Sequence, residues 1–190
     1  MKEQLLKKIE NKEIEVGVVG LGYVGLPLAV EKAKAGFKTI GFDVQEEKVN
    51  LVNEGHNYIG DVVDSDLKKL VDEGMLKATT DFSFVKDVDF IAICVPTPLD
   101  SHQEPDISYV KASTEAISKY LTKGTMVVLE STTYPGTTEE LIKDYRNWDI
   151  AIVSSKEVDL QKLADEGVVI SCAYNPSLGL SLHHSLLPEA

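Results

Sequence analysis

The 190-residue chain has only two cysteines, Cys94 and Cys172, far apart and without metal-ligand spacing. That argues against a disulfide scaffold and makes a reducing cytosol the expected compartment. Basic residues are scarce: 19 Lys and Arg against 31 Asp and Glu leave a net charge of −12. Phosphate neutralisation needs a basic face, so neither nucleic acid nor an anionic membrane is expected as a partner. No apolar run approaches the length of a membrane-spanning helix, and the stretch Met1 to Ile9 lacks the uninterrupted apolar core of a signal peptide. Leu5, Leu6 and Ile9 instead fit one stripe of a short amphipathic helix. Internal repeats and low-complexity linkers are also lacking, and a cytoplasmic protein is expected.

What is present suits one globular domain with a sizeable core: 43% of residues are hydrophobic and 26% charged. The most informative stretch is the β-rich run Ile14 to Val19, which leads directly into Gly20-Leu21-Gly22-Tyr23-Val24-Gly25. A helical pattern follows, with Leu26, Leu28, Ala29 and Ala33 apolar, Pro27 in the first turn and Gly36 just past the end. Strand, glycine turn and helix in this order form a dinucleotide-binding fingerprint. Gly20 permits the tight turn, Gly22 admits a pyrophosphate against bare backbone, and Gly25 lets helix and strand pack closely. The pyrophosphate then rests on the N–H groups at a helix N-terminus.

The next apolar run, Thr39 to Phe42, is closed by Asp43, near the expected separation of about twenty residues. A carboxylate there accepts hydrogen bonds from the adenosine ribose, and a 2′-phosphate beside it would be a like-charge contact. NAD is therefore the expected cofactor, and no Arg follows Asp43 to reverse the choice. Lys48 could reach the adenosine side of the cofactor or be a solvated lysine on the helix Gln45 to Asn53.

Further along, helices are expected over Ser65 to Glu73 and Ile107 to Leu121, with a brief one from Phe82 to Lys86. Strands are expected over Lys77 to Thr80, Asp89 to Val95 and Thr125 to Glu130. The alternation predicts an α/β fold, a Rossmann-type doubly wound parallel sheet with helices on both faces. Ligands bind such sheets at the carboxyl ends of the strands, so the glycine loop, Asp43, Val95-Pro96-Thr97 and Ser131-Thr132 should converge on one crevice.

These motifs, with Cys94-Val95-Pro96-Thr97-Pro98, Glu130-Ser131-Thr132 and Pro135-Gly136-Thr137-Thr138, resemble the N-terminal domain of the UDP-glucose/GDP-mannose dehydrogenase family. Pro96 to Leu99 and Glu104 to Val110 most resemble the bacterial branch that oxidises UDP-N-acetylglucosamine, or a close UDP-N-acetylhexosamine, at C6. The resemblance implies a four-electron oxidation of a UDP-sugar alcohol to the carboxylate, reducing two NAD in turn. A cysteine in a later domain captures the aldehyde. By the same motif match, Val95, Pro96 and Thr97 line the cofactor near its ribose and nicotinamide, with Ser131 beside it. Thr132 matches a family threonine whose hydroxyl helps hold the catalytic water; the alternative is a hydroxyl that satisfies local backbone.

The resemblance covers about Ile14 to Lys143. It suggests a helical extension over 1–13, the NAD-binding domain over 14–143 and a divergent segment over 144–190. In that last segment Asp149 to Val153 and Gly167 to Ser171 read as strands that could extend the sheet, with a helix from Lys156 to Glu166 between them. The glutamate, lysine, asparagine and catalytic-cysteine segments of the family are not found, so a truncated relative is expected. It would act as part of an enzyme or as a non-catalytic NAD-binding module, as a homo-oligomer or paired with a full-length subunit. Cys94 reads as a small core residue. Cys172 has no adjacent base in sequence, and His183 and His184 read as solvated tail.

Overall fold

Five short apolar runs become the strands of one parallel sheet: β1 Glu15–Val19, β2 Lys38–Phe42, β3 Leu76–Thr79, β4 Phe90–Ile93 and β5 Met126–Leu129. Their hydrogen-bonded order is β3-β2-β1-β4-β5. The computed structural model describes residues 2–99, 105–122, 124–131, 150–153 and 169–172. From β1 the chain steps outward to β2 and β3, then returns to lay β4 on the other side of β1. Right-handed crossovers carry the helices to one face for the first direction and to the opposite face for the second. The result is the doubly wound Rossmann-type sheet that the alternating pattern implies.

Each face has its own core. On one side α2 (Gly25–Lys34), α3 (Glu46–Glu54) and α4 (Asp64–Asp72) bury Leu26, Ala29, Val52 and Leu67 against Val16, Val18 and Leu76. On the other, Val110 and Ile117 of α5 (Ser108–Ser118) and Val85 of a 3-10 turn (Phe82–Asp87) cover Phe42, Ile91, Ile93 and Leu129. Strands covered on both faces read as continuous apolar runs, hence Val16 to Val19 and Ile91 to Ile93. Burying a Leu such as Leu26 or Leu67 completely contributes about 1.5–3 kcal/mol.

The helices form for local reasons as well. In α2 the buried residues Leu26, Ala29, Val30 and Ala33 recur at helical spacing, and Lys32 and Lys34 in the last turn complement the negative end of the helix dipole. α3 opens with Glu46 and Glu47 and ends at Gly55, whose φ of 78° is the left-handed conformation that glycine adopts without strain. The run Phe82 to Lys86 is too short for a stable α-helix and winds as a 3-10 turn, started by Asp81 accepting the Ser83 N–H at 2.8 Å.

Two side chains tie the frame together at its margins. Asp89 accepts from Lys8 Nζ at 2.8 Å and from the Glu15 N–H at 3.1 Å, docking α1 (Lys2–Glu10) at the amino ends of the strands. Asn53 of α3 donates to the Ala78 carbonyl at 3.0 Å and accepts from the Ala78 N–H at 2.8 Å, on the edge strand β3. β6 (Ile150–Val153) and β7 (Val169–Cys172) pair with each other in parallel as a separate ladder, with β7 alongside β5. The segment expected as a helix between them, Lys156 to Glu166, lies outside the described residues, as do His183 and His184. Among the described residues no helix is long and apolar enough to cross a membrane.

Candidate functional site

Between β1 and β4 the strand order reverses, so the loops leaving these two strands turn away from each other and open a crevice at their carboxyl ends. A cleft of about 760 Å³ occupies that place. Clefts that hold cofactor-sized ligands run from about 300 to 1,000 Å³. Gly20, Gly22, Tyr23, Val24, Asp43, Lys48, Val95, Pro96, Thr97 and Ser131 line it. Four segments far apart in sequence thus meet on one surface. Thr132 lies outside the described residues.

The three glycines do different things. At Gly20, where φ is 90°, a Cβ would stand 2.9 Å from the Cys94 carbonyl oxygen, so the turn and the approach to β4 both require glycine. At Gly25 a Cβ would come within 1.7 Å of the Gly20 carbonyl oxygen, which closes the helix against the loop. A Cβ on Gly22 would meet nothing within 4 Å. The fold itself leaves Gly22 free to vary, and what a side chain there would enter is the cleft. A bare backbone facing open space is the shape a pyrophosphate needs. The adjoining start of α2 suits an anion too: its N-cap, Val24, makes no side-chain cap and its first turn carries no acidic residue.

Asp43 is buried to 7% exposure and lies at the carboxyl end of β2. Its Oδ2 accepts from the Leu21 N–H at 2.8 Å and its Oδ1 from the Gln45 N–H at 2.9 Å. A carboxylate offers about four lone-pair positions, so two backbone donors fix its orientation and leave capacity for ribose hydroxyls. Lys48 also faces the cleft, with Nζ 3.9 Å from Asp43 Oδ2.

Leu21 sits behind this surface. Its side chain is fully buried, and a Cβ on Gly41 would be 2.7 Å from Leu21 Cδ2, so glycine on β2 makes room for it. Its N–H is bonded to Asp43 and its carbonyl accepts from Tyr58 Oη at 2.7 Å. Leu21 therefore shapes the loop from inside. Burial pushes the Tyr58 phenol above the ordinary tyrosine range, and the Asp43 charge adds to the shift.

At the far end of the cleft Ser131 Oγ donates to the Val95 carbonyl at 2.6 Å, pinning the end of β5 to the end of β4. Cys94 is a core residue: it is 7% exposed, and burial, reinforced by the Glu130 charge, pushes its thiol up to about 12. A thiol held neutral in this way is a poor nucleophile.

Several lining residues were not anticipated from sequence. One face of α5 presents Tyr109, Ala112, Ser113 and Ala116 to the cleft. Their spacing was a readable signal, since small residues at i and i+4 on a helix that follows β4 mark a face approached by something. Phe82 is another, stacked on Phe42 with ring centroids 5.5 Å apart.

Comparison with known proteins agrees with this geometry. Residues 14–176 match the UDP-glucose/GDP-mannose dehydrogenase family, NAD binding domain. The chain belongs to this family. NAD is accordingly the cofactor of the domain, and the match runs past Lys143, where the motif resemblance stops. UDP-N-acetyl-D-glucosamine 6-dehydrogenase of Pseudomonas aeruginosa is 41% identical over 135 residues, 68% of this chain and 30% of that protein. UDP-N-acetyl-D-mannosamine dehydrogenase of Pyrococcus horikoshii is 35% identical over 135 residues, 70% of this chain and 32% of that protein. Among solved structures, UDP-D-ManNAc dehydrogenase from Pyrococcus horikoshii superposes with a TM-score of 0.69 at 26% identity, covering 84% of this chain and 47% of that one. A ternary complex of GDP-mannose dehydrogenase from Pseudomonas aeruginosa gives 0.64 at 26% identity, covering 83% and 45%. The chain spans about 30% of the length of the curated relatives it matches.

Proposed function

We propose that this chain forms the NAD-binding part of a nucleotide-sugar 6-dehydrogenase that oxidises the C6 alcohol of a UDP-N-acetylhexosamine, UDP-N-acetylglucosamine first among the candidates. The observation that carries the reading is the cleft itself, where an open glycine cradle and a backbone-oriented carboxylate stand on neighbouring strand ends. Bound NAD supplies a hydride acceptor. The chain's own residues bind and orient it: Gly22 and the start of α2 receive the pyrophosphate, Asp43 the adenosine ribose, and Lys48 lies on the same side. Val95, Pro96, Thr97 and Ser131 border the other end, where the nicotinamide and its ribose would lie. The face of Ala112 and Ala116 on α5 closes one wall and excludes water. Thr132, next in sequence to Ser131, is assigned the role of holding the catalytic water through its hydroxyl.

The choice of sugar rests on the Pro96 to Leu99 and Glu104 to Val110 sequence motifs and on relatives named for UDP-N-acetyl-D-glucosamine. Relatives named for UDP-N-acetyl-D-mannosamine are similar at comparable identity, so both sugars belong in the test. The alternative reading is an NAD-binding module without turnover that pairs with a full-length subunit. Following NADH absorbance with each UDP-sugar separates the two. Sustained reduction by the chain alone supports the enzyme, whereas NAD binding without reduction supports the module. A chain that binds no NAD refutes both.

A further inference from the structure

We infer that Tyr58 is a positioning residue that aims the Gly22 N–H at the cofactor's pyrophosphate by anchoring the Leu21 carbonyl from behind. The inference deepens the NAD reading above and rests on it. The Leu21 carbonyl and the Gly22 N–H belong to one planar trans peptide, in which the two groups point in opposite directions. Tyr58 Oη holds the carbonyl at 2.7 Å on the core side of the loop. The N–H of the same peptide is thereby turned outward, on the side where Gly22 lines the cleft and where a Cβ would find empty space. A glycine-flanked peptide would otherwise rotate easily, because Gly22 restrains it little.

The rest of the loop strengthens the clamp. Leu21 is held at three points: its N–H by Asp43, its carbonyl by Tyr58 and its side chain against Gly41. Asp43 is held separately by the Gln45 N–H, so removing the Tyr58 hydroxyl frees the phosphate-reading peptide and leaves the ribose-reading carboxylate oriented. Tyr58 is itself well placed to serve as an anchor. Asn57 folds the segment around it by donating to the Val62 carbonyl and accepting the Ile59 N–H, both at 2.5 Å, while Asp64 Oδ1 accepts the Asn57 N–H at 2.9 Å. The Tyr58 ring packs on the core beneath α2 and α4. Its phenol stays protonated through the physiological range, since burial and Asp43 both oppose ionisation, so it remains a donor.

The test is Tyr58→Phe, which keeps the ring and removes only the donor. Titrations of wild type and variant use NAD, ADP-ribose and adenosine, with urea unfolding as the measure of stability. A lost hydrogen bond of ordinary strength predicts a drop of about 5- to 10-fold in affinity for NAD and ADP-ribose and no change for adenosine, which carries no phosphate. The backbone order parameter of Gly22 in the ligand-free chain should fall while amide exchange across the sheet stays unchanged, a pairing that loss of general stability would not give. Equal affinity of both proteins for ADP-ribose would overturn the inference alone. Equal losses for ADP-ribose and adenosine, or exchange that accelerates throughout the sheet, would show a merely structural tyrosine. A wild type that binds neither NAD nor ADP-ribose would overturn the inference together with the NAD reading.

Discussion

Replacing Asp43 by Asn keeps the size of the side chain and one acceptor oxygen but removes the charge that reads the adenosine ribose. In the wild type, a phosphate on the ribose 2′ position about 4 Å from the carboxylate meets a repulsion of about 4 kcal/mol at an effective dielectric near 20. Lys48 opposes it, with its ammonium 3.9 Å from Asp43 Oδ2 and its side chain 29% exposed. An ammonium about 6 Å from that phosphate returns about 2.8 kcal/mol, leaving a net penalty of about 1.4 kcal/mol. NAD should then bind about tenfold more tightly than NADP, well short of the thousandfold that an isolated carboxylate would give. In Asp43→Asn the repulsion disappears and the lysine remains, so on the same figures the preference inverts by up to about a hundredfold at low salt, and by less as salt screens the part-exposed ammonium. The substitution also sets an amide N–H against either the Leu21 or the Gln45 N–H, which costs the fold about 1–3 kcal/mol. Calorimetric titration with both cofactors at low and high salt measures the ratio, which should fall toward unity as salt rises. An Asp43→Asn variant that keeps the wild-type preference would refute the charge argument.

The glycines give a paired prediction. Gly22→Ala should leave thermal stability unchanged or slightly raised while NAD affinity falls by about tenfold or more, because its Cβ meets only the cleft. Gly25→Ala, whose Cβ would collide with backbone at 1.7 Å, should destroy or severely destabilise the fold, as circular dichroism would show. Cys94 supplies a pH dependence. Its folded-state thiol ionises at about 12 against 9.0 when exposed, so the unfolded chain releases this proton first. Stability present below pH 9 is therefore lost as pH climbs toward 12, and denaturant midpoints for Cys94→Ala should decline less steeply across that window. At pH about 8 native Cys94 should resist iodoacetamide, and it should react once the chain is unfolded.

The strands and the glycine turn were legible because one physical demand dominates each. A parallel strand buried on both faces has to be apolar throughout, and a turn closing on β4 has to lack a Cβ at Gly20. Strand ends were less legible: the run Asp89 to Val95 supplies a strand from Phe90 to Ile93, with the Asp89 and Cys94 N–H groups still bonded to Glu15 and Val19 just beyond its ends. Asp43 could be placed by its distance from the glycines. Its partners could not, because hydrogen bonds to the Leu21 and Gln45 backbone leave no trace in residue type. Tyr58 was hidden for the same reason, lying 37 positions from the carbonyl it anchors. The wall formed by Tyr109, Ala112, Ser113 and Ala116 was encoded in helical spacing but becomes meaningful only once α5 is known to border the cleft.

The carboxamide of Asn53 has a consequence for how copies of this molecule meet. An open β-ladder invites a foreign segment to dock on its outermost N–H and C=O groups. On β3 both such groups of Ala78 are already satisfied from within, so a visiting chain finds the central rung occupied. Fibre-like stacking is discouraged at that margin by the Asn53 carboxamide together with the exposed charge of Lys77 on the same strand.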